Sequence, residues 1–121
     1  MTRVSAALRR ALFNTRRVKH TIVTADVKLC DGRLCVPMLL RHEVEPFNRY
    51  THKDVVFPIS AVGAERLAGL LSGLRVDALS DCVGRDVLLV YRDAAAPVSI
   101  VTIDAEGRKT AEIPLTYEVT P

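Results

Sequence analysis

Two cysteines, Cys30 and Cys35, flank an Asp31-Gly32 pair, with Lys28 and Arg33 beside them. Residues of these types offer three chemistries. They are half of a metal site, a redox pair, or thiols at the tip of a hairpin. A tetrahedral zinc site needs two further donors. His42 and His52 are the nearby histidines, and the spacing of the four residues matches no zinc pattern. Neighbouring cations favour thiolates, as in redox-active pairs. A hairpin turn at Asp31-Gly32 places the two cysteines diagonally, about 7 Å apart or less, marginal for a disulfide. The expectation is incidental thiols, with no metal and no cofactor. Three cysteines in 121 residues make no disulfide framework, which points to a reducing compartment.

A second set of residues suits nucleic acid. Residues 42–53, HEVEPFNRYTHK, read as a long loop holding Phe47, Arg49, Tyr50, His52 and Lys53. Long loops inside compact domains are often functional. Aromatic rings interleaved with cations suit base stacking and phosphate contact. Lys28, Arg33 and Arg41 extend the set onto the neighbouring strands. Against this, Phe47 and Tyr50 have an equally good place folded onto the core. The chain has no Gly-rich phosphate loop, no H-E-x-x-H, no G-x-S-x-G and no paired C-x-x-C. Catalysis is not expected.

The elements that must position these residues follow from pattern. Asp-Gly is a strong signal for a two-residue hairpin, because both central residues of a type I′ turn need positive φ. That turn pairs Cys30 with Arg33, Leu29 with Leu34, Val27 with Val36, Ala25 with Met38 and Val23 with Leu40. One face is then wholly apolar, from Val23 to Leu40. The other carries Lys28, Cys30, Arg33, Cys35 and Arg41, and a slip by one residue would scramble the sorting. DVVFPI (54–59) reads as a third strand. Ser60 caps a helix running to about Ser72, with Leu67, Leu70, Leu71 and Leu74 buried and Gly73 at its C-terminal cap. VDALSDCVGR is a connector in which Cys82 and Val83 cover the helix end. Residues 86–92 and 98–103 are strands. Residues 109–119 alternate as a half-buried strand, which Pro114 places at an edge or a bulge.

The N-terminus differs in character. Residues 1–25 hold six bases and no acid, whereas the remainder holds eleven bases and all fourteen acids. The net charge of +3 is thus a basic arm of +6 on a body of −3. On a helix, Val4, Ala7, Leu8, Ala11 and Leu12 gather opposite Arg3, Arg9, Arg10, Arg16 and Arg17, with Lys19 at the end. Such an arm resembles a mitochondrial transit peptide. RALFNT at Arg10–Thr15 is similar to a matrix-processing pattern and implies removal near Lys19. The alternatives are a retained arm gripping nucleic acid, or a solvated helix packed on a cytoplasmic protein.

The expected organisation is an arm, 1–19, and one mainly β domain with a single helix, 20–121, in the order β-β-β-α-β-β-β. The order of elements over residues 20–104 resembles the OB-fold, a small Greek-key barrel with its helix between strands three and four. The resemblance implies single-stranded nucleic-acid binding, RNA or DNA, through Lys28, Arg33, Arg41, Phe47, Arg49, Tyr50 and Lys53. Arg9, Arg10, Arg16, Arg17 and Lys19 would assist from the arm. The chain departs from that family in aromatic content, with three Phe, three Tyr and no Trp. The rival reading is a structural subunit whose 109–119 edge strand pairs with a protein partner or a second copy. No apolar run is long enough to span a membrane.

Overall fold

The computed structural model describes residues 15–44, 49–92 and 96–115. The strands are β1 (Thr15–Ala25), β2 (Lys28–Cys30), β3 (Arg33–Val44) and β4 (Arg49–Pro58), then β5 (Asp86–Arg92), β6 (Ser99–Ile103) and β7 (Lys109–Pro114). One helix, α1 (Ala61–Leu74), and a 3-10 turn (Leu79–Cys82) join β4 to β5. All strand pairs are antiparallel, in the order β2-β3-β1-β5-β6-β7, with β4 on the other side of β3. Among the described residues the mainly β, one-helix class expected from the pattern is therefore present. Among the described strands the sheet is not closed into a barrel, and β4 and β7 are its flanks.

The Asp31-Gly32 turn forms as its chemistry demands, with φ of 52° and 79°. Lys28 pairs with Cys35, Leu29 with Leu34 and Cys30 with Arg33. Ala25 faces Met38 as expected, but a bulge at Val23 then shifts the register, and Ile22 faces Leu40. The inserted residue keeps a large side chain on the core side. Ile22, Ala25, Val36, Met38 and Leu40 are all buried, and Val55 and Phe57 join them from β4.

The expected 42–53 loop is mostly strand. β3 runs on through Val44 and β4 starts at Arg49, ten register pairs in all, so His42 faces Thr51 and Arg41 faces His52. Residues 45–48, Pro46 and Phe47 among them, lie outside the described residues. Tyr50 and Thr51 beyond them favour strand.

Residues 15–19, read from the sequence as the end of a helical arm, are the first half of β1. They pair with Arg92 through Leu88 of β5. Period two replaces the helical period here. Arg16 lies over the Tyr91 ring at 5.2 Å, and Arg17 points to the opposite face. Arg9 and Arg10 lie outside the described residues.

Helix α1 covers the core-facing side of the sheet. Ser60 caps it, its Oγ accepting from the Gly63 N–H at 3.1 Å. The C-terminal cap is Arg75, at φ 59°, and not the expected Gly73. Gly73 instead lets the helix touch the sheet. A Cβ there would overlap Thr102 Oγ1 and lie 2.8 Å from Ala111 Cβ. Thr110 Oγ1 donates to the Gly73 carbonyl at 2.7 Å, and Thr102 and Thr110 hydroxyls are 2.7 Å apart. Leu70, Leu74 and Cys82 are buried, whereas Val83 is exposed. Strands β5 and β6 bury side chains on both faces, among them Val87, Leu89, Val90, Ile100 and Val101. That matches the nearly continuous apolar run of DVLLVYR.

Candidate nucleic-acid interface

The cations and aromatics singled out in the sequence fall into three separate places. The first is the hairpin tip. Lys28 and Arg33 are exposed there on the outer face. The sulfurs of Cys30 and Cys35 are bonded to each other, with Cα atoms 6.1 Å apart. This corrects the expectation of incidental thiols, since the diagonal separation lies within the usual disulfide range.

The second place is the far end of the outer face. Arg41 to Arg33 spans about 27 Å at roughly 3.4 Å per strand residue, so the two do not form one patch. Arg41 packs over the half-exposed Tyr50 ring at 4.7 Å. His52 lies directly across from Arg41, and Glu43 across from Tyr50. On the adjoining part of β1, Lys19 pairs with Asp86 at 3.5 Å, and Thr21 Oγ1 donates to Asp86 at 2.7 Å. Asp54, paired with Leu39, occupies the middle of this face. The outer face is therefore of mixed sign. Arg49 belongs to β4 at the same end, while Phe47 lies outside the described residues.

The third place is on the opposite side of the sheet. Lys53 pairs with the buried Leu40 and so projects with the core face, away from Arg41 and Tyr50. His20 and His42 stand beside it, ring centroids 5.3 Å apart. Each Nδ1–H donates to a backbone carbonyl, His20 to Val18 at 3.0 Å and His42 to Lys19 at 2.9 Å. A carbonyl only accepts, so Nδ1 carries a hydrogen in both rings. Burial lowers the His20 pKa below its usual 6.5, and the nearby His42 and Lys53 add to the shift. The sequence paired His42 with His52 around one loop. The strand extension separates those two onto opposite faces and pairs His42 with His20 instead.

Among the described residues, no group of three or more His, Cys, Asp or Glu is placed to hold a metal ion. The described surface includes the following concavities. One lies between α1 and the β7 edge, lined by Val62, Arg66, Gly69, Glu112 and Ile113. Another lies beside Lys19, Arg85 and Asp104.

Pattern reading missed one surface. Val27, Leu29 and Leu34 are 55%, 73% and 52% exposed, and the neighbouring Ile59 is 47% exposed. The Ile59 N–H donates to the Leu34 carbonyl at 3.1 Å. Leu29 and Leu34 lie on the core-facing side predicted by alternation, but α1 packs mainly on β4, β6 and β7 and leaves the hairpin tip uncovered.

The chain matches no family model, no curated protein and no solved structure.

Proposed function

We propose that this chain is a non-enzymatic binding module that takes up single-stranded nucleic acid on the outer face of β3 and β4. The observation that carries this reading is the Arg41–Tyr50 pair. A half-exposed ring with a guanidinium on it offers a flat apolar surface and a positive charge together, which suits a base and its phosphate. Glu43, Asp54 and Asp86 share this face, so few phosphates are neutralised. The basic, acid-free stretch before β1 supports a mitochondrial setting. A processing site compatible with the fold would precede Thr15, because a cut at Lys19 removes half of β1.

The test is a titration of the full chain into a labelled single strand at several salt concentrations. With two or three phosphates neutralised, log affinity falls with log salt at a slope of about −2. Tyr50→Ala weakens binding by about 1–3 kcal/mol. No binding to any single strand at low salt would refute the reading.

A second reading, a subunit held in a complex by protein contacts, is favoured by the exposed Val27, Leu29, Leu34 and Ile59. A stoichiometric partner that survives nuclease and high salt, and is lost on Leu29→Ser, selects it over the first.

A further inference from the structure

We propose that the Cys30–Cys35 bridge is a reversible thiol–disulfide site whose co-reactant is a small thiol of the glutathione class, with Cys30 as the sulfur attacked. The inference rests on the hairpin alone and not on nucleic-acid binding. The two sulfurs are bonded across adjacent strands. Cys35 is only 4% exposed, with Pro58 of β4 directly beside it. Cys30 is half-buried and lies on β2, which among the described strands pairs only with β3. An incoming thiolate therefore reaches Cys30 first. Lys28 is the direct cross-strand neighbour of Cys35, and Arg33 that of Cys30. Each sulfur thus has a cation opposite it, which stabilises a departing thiolate. Neither cysteine belongs to the packed core cluster that includes Ile22, Met38, Phe57 and Leu70, so the core contacts do not run through the bridge.

The chemistry balances as two exchanges. The thiolate of the small thiol attacks Cys30 Sγ, a mixed disulfide forms, and the Cys30–Cys35 bond breaks with its electron pair leaving on Cys35 Sγ. A second small thiolate attacks the small-molecule sulfur of that mixed disulfide. It releases the symmetrical small disulfide and leaves Cys30 as a thiolate. Two electrons pass from two small thiols to the pair, and the two protons end on Cys30 and Cys35. The third cysteine is an internal control, because Cys82 is fully buried and burial pushes its thiol pKa up.

The experiment equilibrates the full chain with defined ratios of reduced and oxidised glutathione, quenches in acid, alkylates, and maps the labels by mass spectrometry. The expected result is interconversion of bridge and dithiol across the series, with Cys82 unlabelled until urea is added. The reduced chain should keep a single cooperative urea transition. In Cys35→Ser, glutathione accumulates on Cys30 at least tenfold faster than it does on Cys35 in Cys30→Ser. A dithiol that persists in oxidised glutathione overturns the proposal. So does a bridge that reduced glutathione opens only in urea, or loss of cooperative unfolding on reduction. Equal capture by the two variants overturns the assignment of Cys30; the wild-type measurement stands whether or not the variants fold.

Discussion

At the scale of single residues, the environment of each group decides what it contributes. His20 is 4% exposed, and its folded pKa lies below 6.5 because burial disfavours the charged ring. Below pH 6.5 the unfolded chain takes up a proton that folded His20 refuses. Its contribution to stability is therefore intact above pH 6.5 and diminishes as the pH falls through the interval down to the folded value. Glu112 acts in the same direction at lower pH. Lys109 Nζ and Ser99 Oγ donate to its carboxylate at 2.7 and 2.9 Å and hold its pKa below 4.5. That contribution is present above pH 4.5 and lost below it. Urea midpoints should fall from pH 7.5 to pH 5, and His20→Gln should flatten that segment. A midpoint independent of pH between 7.5 and 5 in the native chain would contradict the assignment.

At the scale of elements, the decisive contact is the approach of α1 to β6 and β7. Gly73→Ala drives a methyl into Thr102 and Ala111, an overpacking that costs about 1–3 kcal/mol. Gly69 is the control. A Cβ there meets only Ile113 Cγ1 at 3.7 Å, an ordinary contact. Gly69→Ala should stabilise by up to about 1 kcal/mol through helix propensity. Opposite signs for these two substitutions, read from denaturant midpoints, test the packing directly. The same scale governs β1. A chain starting at residue 20 loses the five residues that pair with Leu88–Arg92, leaving a central strand half bare. It should show a lower melting temperature and weaker near-UV ellipticity than the full chain. Equal stability would show that the first half of β1 is dispensable.

At the scale of the whole molecule, the described bases of the basic stretch, Arg16, Arg17 and Lys19, do not gather into a separate basic surface. The bases of residues 15–19 are distributed over both faces of β1, where Lys19 is neutralised by Asp86. A sheet face of mixed sign attracts polyanions weakly at long range. Hence the shallow salt slope, about −2, that follows if Arg41 and Tyr50 are the contact. A slope steeper than about −5 would require a contiguous basic surface elsewhere on the chain. The hairpin tip also lies off the main packing surface of α1, so solvent-exposed apolar area and the Cys30–Cys35 bridge occur at the same tip.

The residues themselves settle whatever depends on neighbours in the chain. Asp31-Gly32 requires its turn, the turn sets the register of β2 on β3, Ser60 starts the helix, and DVLLVYR reads as a strand buried on both sides. These features rest on φ preferences and short periodicities, which act over a few residues. Tertiary structure decided the rest. Thr15–Lys19 fit a helix as well as a strand until β5 supplied a partner. Lys53 joined the binding set on proximity to Tyr50, and only pairing with Leu40 sent it to the other face. Leu29 and Leu34 carry the core alternation, yet nothing in that alternation says which strands the helix covers. The histidine pairing and the Cys30–Cys35 bond likewise came from strand contacts. Local sequence encodes direction along a strand, whereas cover, face and partner depend on residues brought together from distant parts of the chain.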